Sequence, residues 1–144
     1  METWLYNGRI VNEIKDMPEG TYGFIYEVVH IPTSRKYIGK KVLYFNRTLA
    51  PLKGQKRKRK VTVESDWKTY FGSHQEILGL LKEGKQEEFK RTILCYVPSK
   101  KLLTYYETKY LFINEVLEYR NTYINDNILG KFYRKDFLTP DTDD

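Results

Sequence analysis

Each of two neighbouring stretches of the chain, residues 23–30 and 35–42, carries a tyrosine among apolar neighbours, Tyr26 in the first and Tyr37 in the second. Both stretches are rich in β-branched and aromatic residues, and the segment IPTSR between them contains the proline and serine of a short connection. This pattern predicts an antiparallel hairpin of two strands. Residues 89–97, FKRTILCYV, form a nearly continuous apolar run that is too short for a typical helix, so they predict a third, buried strand.

Two later stretches have the spacing of helices. Ser73 and Glu76 are spaced as a capping box, and the apolar residues that follow predict a short helix ending near Gly84. After Pro98, apolar residues recur every three or four positions, which predicts a helix over about residues 102–118 with one buried stripe. A short helix is also compatible with residues 41–49, up to the break at Pro51.

The expected fold is therefore α+β, with a small three-stranded antiparallel sheet, flanking helices and the order strand, strand, helix, strand, helix. A chain of 144 residues is long enough for one domain with a single core. Within residues 1–144 we distinguish an N-terminal extension at 1–20, whose structure the pattern does not assign. A basic insertion at 51–64 is predicted as a surface loop after the second strand, and an acidic tail occupies 139–144.

Positive charge is concentrated in one segment of the insertion. The formal net charge is +6, and the segment KGQKRKRK alone contains six basic residues, so the rest of the chain is balanced. Such a cluster indicates a polyanionic partner, most often nucleic acid, and the alternative is a solvated or localisation loop. The six residues are Lys53, Lys56, Arg57, Lys58, Arg59 and Lys60.

No apolar run approaches the roughly 20 residues that span a bilayer, and charges lie where a signal peptide needs its apolar segment. We therefore expect a cytoplasmic protein.

Glu107 interrupts the apolar stripe of the second predicted helix. It lies one turn from both Leu103 and Leu111, so it borders the buried face. A carboxylate in this position needs a partner or a metal ion. The simplest alternative is an ion pair with a lysine at the rim of the core.

The spacing of particular residues around the hairpin is similar to that of a known protein superfamily. Tyr26 ends the motif GFIY, Tyr37 begins YIGK eleven residues later, and Lys40 and Arg47 follow. With the helical Glu107 downstream, this arrangement resembles the GIY-YIG nuclease superfamily over about residues 22–127. The stretches ESDWKTYFGSH and FKRTIL are similar to stand-alone endonucleases of tailed phages.

The resemblance also implies a late asparagine, which falls near Asn125, with Asn127 as its alternative. The chain departs from the family pattern at the position one helical turn after the arginine, where a tyrosine or histidine is usual and Pro51 stands. Tyr70 and His74 are the candidates to replace it. The separate recognition domain of many homing relatives has no counterpart after Asn127, so the basic insertion is its internal candidate.

These residues supply what phosphodiester hydrolysis requires. Glu107, a hard oxygen ligand, would bind one Mg²⁺ or Mn²⁺, and Arg47 would contact the phosphate with its planar fork. Tyr26 and Tyr37 would hold the attacking water, and a cation such as Lys40 would lower the pKa of the one that accepts its proton. Asn125 would orient the site, and which tyrosine is the base stays open.

The expected activity is thus a metal-dependent DNA endonuclease. The alternative is a non-catalytic nucleic-acid-binding module on the same scaffold, and a basic interaction or assembly protein is a third class. The oligomeric state is open, because a single metal site cuts one strand at a time and double-strand cleavage would require a dimer or a second event.

Overall fold

The computed structural model describes residues 3–137. The acidic tail at 139–144 lies outside the described residues. In chain order, the strands and α-helices are β1 (Trp4–Tyr6), β2 (Arg9–Val11), β3 (Gly23–His30), β4 (Arg35–Val42), β5 (Tyr44–Leu49), β6 (Arg59–Glu64), α1 (Gln75–Lys82), β7 (Phe89–Val97), α2 (Lys100–Ile113), β8 (Asn127–Ile128) and β9 (Phe132–Tyr133).

The α+β class is confirmed, but the prediction of a three-stranded sheet is wrong. The central sheet has five strands in the order β2-β1-β7-β3-β4. β3 pairs antiparallel with both β4 and β7, and β1 joins the other edge of β7 in parallel. The two additional strands come from the N-terminal stretch, where Trp4 and Val11 are buried in the core. Strands of three residues are too short to produce a recognisable alternation.

The three predicted strands themselves are confirmed. β3 and β4 pair without interruption from Gly23 opposite Val42 to His30 opposite Arg35. β7 occupies residues 89–97 as predicted, and its register with β3 shifts by one residue between Ile25 and Tyr26. The extra residue of this bulge lies on β7, so the hairpin that carries the two motif tyrosines stays regular.

Both faces of the sheet are covered. On one face, Tyr26 and its strand neighbours pack against Trp67, Phe71 and Ile77 of the segment that leads into and through α1. On the other face, α2 and the chain after it cover Ile25 and Ile38. We call these the tyrosine face and the α2 face.

The helix boundaries differ from the prediction at the caps. α1 begins after His74, whose Nδ1 accepts a hydrogen bond from the Glu76 amide, so the cap is His74 and not Ser73. α2 begins after Ser99 and ends at Ile113, five residues before the predicted end at Glu118. The chain after Ile113 turns, yet Leu117 is still buried, which explains why its spacing looked helical.

The helix considered for residues 41–49 is wrong, and the insertion is only partly a loop. β5 and β6 form a two-stranded antiparallel sheet that pairs Tyr44 with Glu64 and Leu49 with Arg59. We call this hairpin the ribbon and residues 50–58 its tip. Aromatic and β-branched residues in YFNRTL and VTV favour strands, and their cross-strand pairing outweighs the local helical spacing. Within residues 3–137, no helix combines the length and apolarity needed to cross a membrane.

Candidate active site

Tyr26 lies directly opposite Gly39 in the β3–β4 pair, and its side chain extends across that glycine. A Cβ atom on Gly39 would lie 2.5 Å from the Tyr26 hydroxyl and 2.7 Å from its Cζ. The glycine of YIG therefore leaves the space that the phenol ring occupies. Tyr26 is 1% exposed, so only the end of its side chain can take part in chemistry.

Tyr37 is the diagonal neighbour of Tyr26 on the edge strand β4. The two ring centroids lie 6.4 Å apart, and Gly72 approaches both side chains. A Cβ on Gly72 would lie 3.2 Å from the Tyr37 ring and 3.3 Å from the Tyr26 hydroxyl, and its φ of +105° already favours glycine. Unlike Tyr26, Tyr37 lines a polar cleft of about 590 Å³ together with Ser73, His74 and Asn125.

The two tyrosines differ in how easily they lose a proton. Burial raises the pKa of Tyr26 well above its usual value, and a hydrogen bond with Tyr70 acts in the same direction. Burial also raises the pKa of Tyr37, but a hydrogen bond with Ser73 opposes this by stabilising the phenolate. Tyr37 is therefore the easier of the two to ionise and the more accessible.

A buried lysine that the sequence analysis missed lies on the tyrosine face. The Lys41 ammonium is 3.8 Å from the centroid of the Tyr70 ring and 2.6 Å from an Asp66 carboxylate oxygen. The Tyr70 ring in turn packs edge-on against Tyr26, with centroids 5.9 Å apart. Strand alternation places Lys41, Gly39 and Tyr37 on one face of β4, and this period of two was the signal that could have found it.

Lys40, the predicted cation, lies on the α2 face instead. Its ammonium is 3.8 Å from the Glu107 carboxylate and donates a hydrogen bond of 3.1 Å to Thr104. The alternative interpretation of Glu107, an ion pair with a lysine, thus describes its contact in this structure. Alternation separates Lys40 from Tyr37, so the two belong to opposite faces of β4.

Glu107 lies on α2, which packs against β3 and β4, the strands that carry the two tyrosines. Its side chain is 21% exposed, and burial raises its pKa, while the charge of Lys40 lowers it. The negative charge of Glu107 also contributes to the raised pKa values of Tyr26 and Tyr37. The structure therefore brings three of the predicted residues close enough to influence each other electrostatically.

Asn125 is buried and bonds to the edge strand. Its amide donates to the Ile38 carbonyl at 2.9 Å, and its oxygen accepts from the Ile38 amide at 3.1 Å. Lys36 bonds to the same segment through its own backbone groups, so the residues on both sides of Tyr37 are held. Arg134 supports this segment from behind, donating to the carbonyls of Asn125 and Tyr123 at 2.7 and 2.9 Å.

His74 and Asp126 form a pair at the mouth of the cleft. Because His74 Nδ1 accepts the Glu76 amide proton, its Nε2 carries the hydrogen and donates to Asp126 at 2.6 Å. The His74 ring also packs on Tyr37, with centroids 5.9 Å apart. Asp126 was not predicted, because the two partners lie 52 residues apart. Asn127 lines the same cleft, and its side chain accepts a hydrogen bond from Gly130.

Arg91 is a third residue that the sequence analysis missed. It is 1% exposed, and its guanidinium donates to the carbonyls of Lys68 and Tyr70 at 3.0 and 2.7 Å. The same group lies over the Trp4 ring, and the Trp4 indole donates to the Trp67 carbonyl at 2.7 Å. Arg91 and Trp4 therefore fix the segment that presents Tyr70 to Tyr26. A charged residue inside an apolar strand was the available signal.

Arg47 lies on the ribbon. It is exposed on β5 opposite Val61 and, within residues 3–137, forms no side-chain hydrogen bond or ion pair. The six basic residues of the insertion are exposed as well, four in the tip and two at the start of β6. Also within the described part of the chain, no three His, Cys, Asp or Glu side chains cluster as a metal site.

The fold and this arrangement of paired tyrosines and helical glutamate define a GIY-YIG domain. Residues 4–128 match the family described as "Putative endonuclease segE, GIY-YIG domain", and since the match covers most of the chain, the protein belongs to this family. Membership supports nuclease activity and a DNA substrate. Comparison with curated proteins and with solved structures gave no match.

Proposed function

We propose that the protein is a metal-dependent DNA endonuclease that hydrolyses phosphodiester bonds at the β4 edge of the sheet, beside Tyr26, Tyr37 and Glu107. The observation that carries the proposal is the arrangement of these three side chains, which come from two strands and a helix. The rings of Tyr26 and Tyr37 lie 6.4 Å apart, and the charge of Glu107 contributes to the raised pKa of both tyrosines. We further propose a phage-encoded homing-type or nicking role in the host cytoplasm, on the basis of the resemblance in ESDWKTYFGSH and FKRTIL.

Glu107 fits a single hard cation. Its carboxylate is mostly buried, and the one ammonium beside it lies at 3.8 Å, beyond a direct hydrogen bond, so its charge is incompletely compensated. Mg²⁺ commonly keeps several waters and takes only one or two carboxylates in enzymes that act on phosphates. When bound by Glu107, Mg²⁺ or Mn²⁺ would shield the charge on the scissile phosphate.

We assign different roles to the two tyrosines. Tyr37 lines the cleft and receives the Ser73 hydrogen bond, so it is the residue that would orient the water and accept its proton. Tyr26 is buried, and its pKa is raised further by Tyr70, so it would stay protonated and donate a hydrogen bond. Asn125 would position Tyr37 by fixing the strand on either side of it.

The remaining cations would contact the substrate backbone. Lys40 lies beside Glu107, and its ammonium would contact either the Glu107 carboxylate or a phosphate oxygen of the substrate. Arg47 would contact a phosphate from the ribbon, together with the six exposed basic residues between Lys53 and Lys60. Phosphate contacts of this kind set the position of the protein on DNA and are independent of sequence.

The test is cleavage of supercoiled plasmid by the purified protein with Mg²⁺, with EDTA as one control. Glu107→Gln should abolish cleavage while leaving DNA binding nearly unchanged. Glu87→Gln, which removes an exposed carboxylate after α1, is the matched control and should cut like wild type. Binding of DNA without any Mg²⁺-dependent cleavage by wild type would refute the proposal and indicate the non-catalytic module.

A further inference from the structure

The ribbon is a two-stranded sheet that does not join the central sheet. Its six residue pairs run from Tyr44 opposite Glu64 to Leu49 opposite Arg59. One face of the ribbon is exposed along its whole length, and we call it the polar face. Its residues are Tyr44, Asn46, Thr48, Lys60, Thr62 and Glu64.

The opposite face is directed at the domain near the base of the ribbon. Phe45, Val61 and Val63 on that face are half-buried, and the Lys41 ammonium lies 5.1 Å from the Phe45 ring. Beyond its base, where the Glu64 carboxylate accepts a hydrogen bond from the Trp67 indole, the polar face therefore points away from the core. Threonine, asparagine and lysine side chains on such a face can contact base edges, because they offer hydrogen-bond donors, acceptors and a methyl group.

Size and charge identify the partner. Six residues of strand extend about 20 Å, and two strands lie about 4.8 Å apart. Such a ribbon fits the major groove of B-form DNA, which is about 12 Å wide, but not the minor groove of about 6 Å. From Tyr44 to Val63 the chain has seven basic residues and no acidic one, which matches the phosphates on both sides of a groove.

We propose that the ribbon enters the major groove of double-stranded DNA and reads sequence with its polar face. At about 3.4 Å per base pair, a length of about 20 Å covers roughly five or six base pairs. Asn46, Thr48 and Thr62 contact base edges, whereas the basic residues of the tip contact phosphates on both flanks. The inference rests on the proposed function for its substrate class and adds an internal recognition element to it.

Two other partners would use the ribbon differently. The major groove of A-form RNA is too narrow and deep for side chains to read, so duplex RNA should compete poorly. A second copy of the chain would instead pair with the open edges of β5 or β6 and would produce a dimer in the absence of DNA.

The experiment selects bound sequences from a pool of random DNA duplexes, in EDTA so that no cleavage occurs. Wild type should enrich a run of about five base pairs. The variant Asn46→Ala/Thr48→Ala/Thr62→Ala should bind the selected sequence at least tenfold more weakly and random duplex within about twofold of wild type. Asn12→Ala is the matched control, because Asn12 is an exposed asparagine outside the ribbon, and this variant should select the same sequences as wild type.

Because binding is measured without metal, its outcome is independent of whether the protein cleaves DNA. A wild-type pool without preference would overturn sequence reading by the ribbon, and so would a triple variant with unchanged preference. An equal loss of affinity for all duplexes would show that the ribbon contacts phosphates without reading sequence. Dimerisation without DNA would show that its strand edges pair with a second copy of the chain. Circular dichroism melting checks that the triple variant folds, as its three sites are exposed.

Discussion

Gly39→Ala tests whether the position of the Tyr26 hydroxyl matters for catalysis. The added Cβ would lie 2.5 Å from that oxygen, about 0.9 Å short of ordinary contact at 3.4 Å. Tyr26 is packed between Trp4, Phe24 and Tyr70, so its ring cannot rotate away freely. We expect the hydroxyl to be displaced by roughly 1 Å, which lowers the single-turnover cleavage rate about 100-fold. Overpacking should lower the free energy of unfolding by about 1–3 kcal/mol.

Single-turnover cleavage and thermal melting of the same preparations separate these two effects. In a Tyr26→Phe background, Gly39→Ala should reduce the rate further by less than about threefold, because the displaced hydroxyl is already absent. Gly79→Ala is the control, since Gly79 lies in α1 with open space around it and alanine favours helix. A Gly39→Ala variant that cuts at the wild-type rate would show that the Tyr26 hydroxyl has no precise catalytic position.

Three further predictions follow from the charges of the site and of the ribbon. Because burial raises the pKa of Glu107 in the folded protein, ionising it costs stability, and this cost appears as pH rises through that pKa. Without metal, Glu107→Gln should therefore melt a few degrees above wild type at pH 7, and a difference that persists on acidification to pH 4 would contradict this. Ser73→Ala removes the contact that stabilises the Tyr37 phenolate, so the pH–rate profile should shift to higher pH, measured in single turnovers; an unshifted profile would exclude Tyr37 as the base. Neutralising the five basic residues at 56–60 should make the slope of log K for DNA binding against log salt concentration shallower by roughly three units. An unchanged slope would show that these five residues do not contact phosphates.

The sequence predicted those parts of the fold in which burial produces a regular pattern. β3 is apolar on both faces because each face of the sheet is covered, and β7 reads as continuously apolar because it lies between two strands and under two layers. The ribbon has no buried run, since both its strands are largely solvated and four of the six residues in RKVTVE are polar. β1 is held by parallel pairing with the distant β7, which local periodicity does not record, and β2 pairs with β1 through strands too short to show a pattern.

The candidate site divides in the same way. Tyr26, Tyr37 and Glu107 were predicted from their spacing, and they lie on β3, on β4 and on the helix α2 that packs against both strands. Arg91 and Asp126 were not identified, because each acts through a partner from a distant part of the chain. Lys40 and Arg47 were assigned by motif position alone. Alternation puts Lys40 on the α2 face, and Arg47 lies on the unexpected ribbon.

The base of the ribbon connects the proposed DNA-reading surface to the site rigidly. The Leu43 amide bonds to the Tyr22 carbonyl at 3.0 Å, and the Ser65 amide bonds to the Leu43 carbonyl at 2.7 Å, so both strands are held where they leave the core. The Ser65 hydroxyl adds a bond of 2.6 Å to the Val42 carbonyl. Asp66, the next residue, holds Lys41 on the tyrosine face. Tyr37 lies on β4, which leads directly into this hydrogen-bonded base of the ribbon. We therefore expect DNA bound by the ribbon to meet the tyrosines at a set distance. Cleavage at one fixed offset from the selected base pairs is the expected consequence, and scattered cut positions would show that the base flexes.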